Sequence, residues 1–178
     1  VCSSDLYTDD YHSFSEFREL REQIILVQSF SKPYAMTGWR MGYMMMDAGI
    51  KERLELVHQF TVVSASSIQM RACEEALRTD ISPMLEVFKR RRNYALERLS
   101  AMGLKTIEPG GAFYVFPSLA PYGEDSMAFC TRLVTEGGLA LTPGICFGAE
   151  GYARISYGCS DELLKEGMDR LEHFIRKL

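Results

Sequence analysis

The sequence predicts an α/β fold in two parts. Two short apolar runs, residues 24–27 and 42–46, bracket a 13-residue loop from Ser29 to Met41. The apolar spacing then turns helical, with Ile50, Leu54 and Val57 at i, i+4 and i+7. Beyond residue 81, short strand-like runs are interleaved with helical stretches that carry their own caps.

Taken in order, Ile24-Ile25-Leu26-Val27 is β-branched-rich and reads as a buried strand ending at Gln28-Ser29. Gly42-Tyr43-Met44-Met45-Met46 reads as a second buried strand closed by Asp47-Ala48-Gly49, its methionines serving as core and not as copper ligands. A helix follows from Ile50, Ser64 to Ser67 break it, and another runs over residues 68–78. Thr79-Asp80-Ile81-Ser82-Pro83 marks a domain boundary, with Ser82 as cap and Pro83 at the first helical position. Residues 1–80 and 81–178 are therefore expected to be separate domains. In the second, Met84, Phe88, Ala95, Leu99 and Met102 share one helix face, and Lys89-Arg90-Arg91-Arg92 reads as its solvated side. Strands are expected near residues 104–107, 112–116, 139–141 and 152–157, with a helix over 126–136 stopped by Gly137-Gly138. A last helix starts after Ser160, with acids in its first turn, bases in its last, and a stripe of Leu164, Met168, Leu171, Ile175 and Leu178. The whole second part reads as short strands covered by helices on one face.

Composition removes several functions. A net charge of -4 disfavours nonspecific binding to nucleic acid or to an anionic membrane, and no apolar run reaches the length of a membrane span. Three dispersed histidines argue against a metal site. Five cysteines without a C-x-x-C pair point to a reducing cytoplasm, with Cys146 and Cys159 read as small buried thiols. Val-Cys-Ser-Ser-Asp-Leu at residues 1–6 can be encoded by a common sequencing-adapter tail, so this segment is expected to be non-native, and the chain to be cut from something longer.

The loop from Ser29 to Gly42 holds the chemistry. It sets Lys32 among small hydroxyl residues, with Arg40 eight positions later. A lysine at the end of a buried strand loses hydration, which favours the neutral amine that attacks carbonyls. Hydroxyls and a guanidinium beside it form a cradle for phosphate. The same spacing also fits a surface turn with a solvated lysine and a salt-bridged arginine. Arg154, alternating with Ala153 and Ile155 on a strand, fits either a strand-edge salt bridge or a ligand clamp.

The wording Ser29-Phe30-Ser31-Lys32-x-Tyr34-Ala35-Met36-Thr37-Gly38-Trp39-Arg40-x-Gly42 resembles the pyridoxal-phosphate attachment site of class I/II aminotransferases of fold type I. Pro109-Gly110-Gly111-Ala112-Phe113-Tyr114-Val115-Phe116-Pro117, Thr142-Pro143-Gly144-x-x-Phe147-Gly148 and Tyr152-Ala153-Arg154-Ile155-Ser156-Tyr157 resemble later blocks of that family in the same order. The resemblance implies that residues 1–80 are a remnant of the cofactor-binding large domain and 81–178 the small C-terminal α/β domain. It implies pyridoxal 5′-phosphate held by Lys32 as a Schiff base, with the released amine shuttling a proton between Cα and the cofactor's C4′. Ser29 and Arg40 would bind the phosphate, Tyr7 the 3′-oxygen, and Arg154 the substrate α-carboxylate. Gly110-Gly111 would allow close backbone approach near the substrate, and Trp39 would pack beside the loop.

The aspartate that pairs with the pyridine nitrogen falls at Ser4, and Asp5 is one residue out of register. The family's upstream half, with its phosphate loop and ring-stacking aromatic, is missing, so the 178 residues alone are expected to be inactive. The implied reaction exchanges an amino group between an L-amino acid and a 2-oxo acid such as 2-oxoglutarate, in a cytoplasmic homodimer. Tyr34, Phe113, Tyr114 and Phe147 lean the donor towards aromatic or broad-range amino acids. The alternatives are a carbon–sulfur β-lyase of the same fold type and an aminotransferase-like sensor domain of a transcription regulator.

Overall fold

In the computed structural model, which describes residue 7, residues 11–123 and residues 125–178, the chain forms two compact units that divide after Pro83. Cys2, Ser4, Asp5 and the expected non-native segment 1–6 lie outside the described residues. Both units mix helix and strand, as the α/β expectation requires.

The first unit centres on an antiparallel hairpin of β1 (Leu26–Ser29) and β2 (Gly42–Met45), with Leu26 opposite Met45 and Ser29 opposite Gly42. Helix α1 (Ala48–Thr61) follows, capped by Asp47, whose carboxylate accepts the Gly49 N–H at 3.1 Å. Helix α2 (Ser67–Ala76) comes next. The expectation of two buried strands fails. Val27 is 69% exposed and Met44 48%, so the methionines are not core here. A two-stranded ribbon has two open edges, and apolar side chains on both faces stay wet unless something covers each face. On one face, a groove of about 730 Å³ lies between the strands and α1, lined by residues such as Val27, Met44, Leu54 and His58.

Helix α3 (Ser82–Ala101) begins two residues before the division and carries the chain into the second unit. Its start differs from the expected Ser82 cap: Ser82 already lies in the helix, and Asp80 accepts its N–H at 2.9 Å. The described strands form one antiparallel sheet in the order β3-β5-β4, made of β3 (Tyr114–Val115), β4 (Thr142–Pro143) and β5 (Ala153–Ser156). Helices α4 (Ser126–Gly137) and α5 (Asp161–Ile175) pack together, with Phe129 edge-on to Phe174 at 5.5 Å. Leu99, Val115, Leu133, Tyr157, Met168 and Leu171 fill the core.

Two expected strands do not form. Gly103, at φ 77°, turns the chain after α3 so that Leu104 plugs the core and bonds back to the Leu99 carbonyl, and the following residues find no ladder. Gly138, at φ 64°, ends α4 as expected, but Leu139 bonds to the Leu133 carbonyl, which delays strand pairing to Thr142. On α5, Leu178 lies beyond the helix and is exposed, while Phe174 takes the core place expected of it.

The basic run is a solvated face only in part: Lys89 and Arg90 are exposed, while Arg91 is half-buried and Arg92 buried. Arg90 and Arg91 both donate to Asp161, at 2.7 and 2.5 Å, tying α3 to the first turn of α5. Arg92 is buried, pairing with Glu108 at 3.0 Å and donating to the Pro109 carbonyl at 3.1 Å. Hydrogen bonding from Arg91, reinforced by Arg90, holds the Asp161 carboxyl below its ordinary range. A depressed carboxyl pKa stabilises the fold above the unfolded value, about 3.9, and that contribution vanishes as pH falls through the folded value. Asp161→Asn is therefore expected to lower the urea midpoint at pH 7, with the gap to wild type narrowing once the pH is taken below the unfolded value of about 3.9. Urea titrations at pH 7 and below that value check this.

Candidate functional site

The loop between β1 and β2 is shaped by three inward anchors. Phe30, Pro33 and Met36 are buried, and Phe30 and Met36 pack with Cys73 and Ala76 of α2. Tyr34 and Met41 border the cluster. The Phe30 N–H donates to the Met41 carbonyl at 3.1 Å and closes the loop's base. Because the anchors point inward, Ser29, Lys32 and Arg40 are presented on the surface. The Ser29 hydroxyl accepts the Ser31 N–H at 3.1 Å, and Lys32 opens a turn in which its carbonyl accepts the Ala35 N–H at 3.3 Å. The Arg40 guanidinium donates to the Thr37 carbonyl at 3.0 Å, and among the described residues it forms no ion pair. The expectation of a desolvated lysine is not met in this chain, since β1 is itself uncovered. Trp39 is likewise partly exposed.

Backbone geometry makes the loop costly to build. Ala35 and Arg40 both hold left-handed conformations, φ 53° and 55°, at about 1–2 kcal/mol each for non-glycine residues. Such strain persists where surrounding packing over-determines it, and it concentrates at functional sites. Gly42 relieves the opposite crowding: a Cβ there would sit 2.6 Å from the Gln28 carbonyl oxygen.

Arg154 belongs to the second unit. Ala153, Ile155 and Tyr157 are buried, leaving Arg154 half-buried on the other face of β5, as alternation predicts. Its guanidinium carbon lies 4.5 Å from the ring centres of both Tyr114 and Phe147. Among the described residues no carboxylate pairs with it, so the strand-edge salt bridge is absent. Phe147 ends a 3-10 turn, Gly144–Phe147, in which a Cβ on Gly144 would meet the Ala149 carbonyl oxygen at 2.0 Å. The turn is tied to α4 where the Ile145 N–H donates to the Ser126 hydroxyl at 3.2 Å. Glu150 accepts the Ser126 N–H at 2.5 Å and the Gly151 N–H at 2.9 Å, bonds that hold its carboxyl below the ordinary range. Neither Ser126 nor Glu150 stood out in the sequence, because their roles depend on contacts 19 and 24 residues apart. Tyr7 is described as half-buried in a bend. Cys146 is exposed, contrary to expectation, while burial and the nearby Cys146 push the Cys130 thiol up to about 11.

Residues 6–171 match the model of the aminotransferase class I and II family. The chain belongs to that family. It is 40% identical over 99% of its length to a probable N-acetyl-LL-diaminopimelate aminotransferase of Bacillus subtilis, covering 47% of that protein. It is 37% identical over 98% of its length to an aspartate aminotransferase of Thermotoga maritima, covering 46%. The crystal structure of the Thermotoga maritima enzyme superposes with a TM-score of 0.91 at 36% identity, over 99% of this chain and 46% of that one. An aromatic aminotransferase from Pyrococcus horikoshii gives 0.91 at 34%, over 99% and 50%. The chain thus spans about half the length of the curated relatives it matches.

Gly42→Ala should force β1 and β2 apart and cost about 1–3 kcal/mol, the usual range for an added methyl without room. Hydrogen exchange of the Phe30 amide, measured against wild type, is expected to speed up accordingly.

Proposed function

We propose that this chain carries the cofactor lysine and the substrate-carboxylate arginine of a pyridoxal 5′-phosphate-dependent aminotransferase. The observation that carries the reading is the loop itself. Residues 29–46 contain Lys32 and Arg40 but no acidic residue, and Ser29, Ser31 and Thr37 supply hydroxyls in the same loop. That donor set fits a phosphate dianion next to an aldehyde-reactive amine.

When bound, pyridoxal phosphate supplies an electron sink for the pair left at the substrate Cα. Lys32 would anchor the cofactor through its amine and, as a free amine, would hold the proton taken from the substrate Cα. Ser29 and Arg40 hold the phosphate, and Tyr7 donates to the 3′-oxygen. Arg154 orients the α-carboxylate through its in-plane donors. Residues 1–80 then belong to the cofactor-binding large domain and 81–178 to the small domain, with residues 1–6 non-native. The donor is an aromatic or broad-range L-amino acid and the acceptor a 2-oxo acid such as 2-oxoglutarate. Tyr114 and Phe147 beside Arg154 support that leaning. A homodimer completes the proposal, in a cytoplasm whose reducing conditions suit five cysteines without a C-x-x-C pair. The relatives are named as aminotransferases, and no observation favours the lyase or the sensor.

Two tests use protein spanning the full length of these relatives. Borohydride reduction of the cofactor-loaded protein followed by peptide mapping is expected to label Lys32, and Lys32→Ala to reduce turnover by on the order of 10²–10⁴-fold. Label on another residue overturns the assignment. Arg154→Lys keeps the charge but loses the fork, and should cost about 2–4 kcal/mol in kcat/KM with cofactor absorbance retained. Steady-state kinetics with an unchanged kcat/KM would remove Arg154 from the site.

A further inference from the structure

An arginine can be held in two ways. A carboxylate fixes it through the in-plane N–H donors, which are then no longer available to a ligand. An aromatic ring holds it by its face and leaves those donors open. Arg154 is held in the second way: its guanidinium carbon lies over the rings of Tyr114 and Phe147, 4.5 Å from each ring centre.

Neither ring is loosely placed. Tyr114 pairs with Ser156 in the sheet and packs on Phe113 at 4.4 Å, which in turn lies 6.0 Å from Phe88 of α3. Phe147 meets the edge of Phe116 at 6.1 Å, and Phe116 stacks on Tyr152 at 5.3 Å and 6°. The turn that carries Phe147 is fixed by the crowding at Gly144 and by the Ile145–Ser126 bond. Arg154 therefore sits within a run of aromatic contacts whose outer members are anchored to α3 and to the sheet.

We propose that Tyr114 and Phe147 are positioning residues for the substrate carboxylate, fixing the guanidinium plane of Arg154 while leaving its in-plane donors open. The inference rests on the reading of Arg154 as the carboxylate clamp. The rings act through Arg154 and take no part in proton transfer. Their loss is thus expected to weaken carboxylate binding and to leave the chemical step at Lys32 nearly as fast.

The experiment uses cofactor-loaded protein of the relatives' full length and compares Phe147→Leu, Phe147→Tyr and Arg154→Gln. One readout is the dissociation constant of 3-phenylpropionate, a monocarboxylate with no amino group, by calorimetric titration. The other is the split between KM and kcat for the amino acid and for 2-oxoglutarate. Phe147→Leu is expected to raise the dissociation constant and both KM values about tenfold, with kcat within about twofold. Phe147→Tyr, which keeps the ring, should return all of them to within about twofold of wild type. If Phe147→Leu does not fold, Tyr114→Leu carries the same expectation. Wild-type-like constants in the leucine variant, alongside a large rise in Arg154→Gln, would overturn the inference and leave the Arg154 assignment standing. No change in Arg154→Gln would overturn both.

Discussion

The site depends on the inward packing of Phe30 and Met36 against Cys73 and Ala76. A loop this rich in polar and strained residues has no regular ladder to hold it, so side-chain burial must do so. Each buried residue of this size contributes about 1.5–3 kcal/mol, enough to offset two left-handed non-glycine residues. The alternation of anchors with Ser29, Lys32 and Arg40 then follows from simple geometry: what points inward holds the loop, and what points outward stays exposed. The same residues that fix the backbone thereby set which side chains are displayed.

Much of this was legible in the sequence. Two helix limits were legible, Ser160 capping the start of α5 and Gly138 ending α4 in a left-handed turn, whereas Asp47, read as closing a strand, caps α1. The Ser29–Gly42 loop and Arg154 were legible too, because their wording and alternation are local properties. Burial of the hairpin was not. Apolar composition says that Val27 and Met44 are suited to a covered face, but not whether a partner surface is present to cover them. The strands expected at residues 104–107 and 139–141 failed for a related reason. Their composition suited a strand, yet Gly103 and Gly138 sent the chain into helix-terminating bonds first. Long-range electrostatics were hidden as well. Nothing local tells Arg90 and Arg91 that Asp161, some 70 residues away, will reach them.

The two units solve different physical problems. The second closes a core around Leu99, Phe129, Tyr157 and Leu171, and spends its charged residues on links between α3 and α5: Arg98 reaches Asp169 at 2.8 Å and Glu172 at 2.9 Å. Single ion pairs at a surface add little each, but this half-buried guanidinium shared between two carboxylates fixes the register of two helices. The first unit has a small buried cluster under the loop and wide apolar surface elsewhere, including Phe60 at 89% exposure. Its stability is therefore tied more closely to whatever else covers it than that of the second unit.

The sheet order β3-β5-β4 carries a consequence for how the second unit is made. The strand that comes last in the sequence lies in the middle, and β3 and β4 share no hydrogen bonds with each other. A chain emerging from the ribosome cannot lay this sheet down strand by strand. Both outer strands must wait, unpaired, until residues 153–156 arrive to bridge them, and the core is not sealed until α5 follows. Contacts spanning this much sequence slow folding and make it cooperative. Translation that stops short of β5 would yield not a smaller sheet but none, with two apolar edges exposed to the cell's quality control.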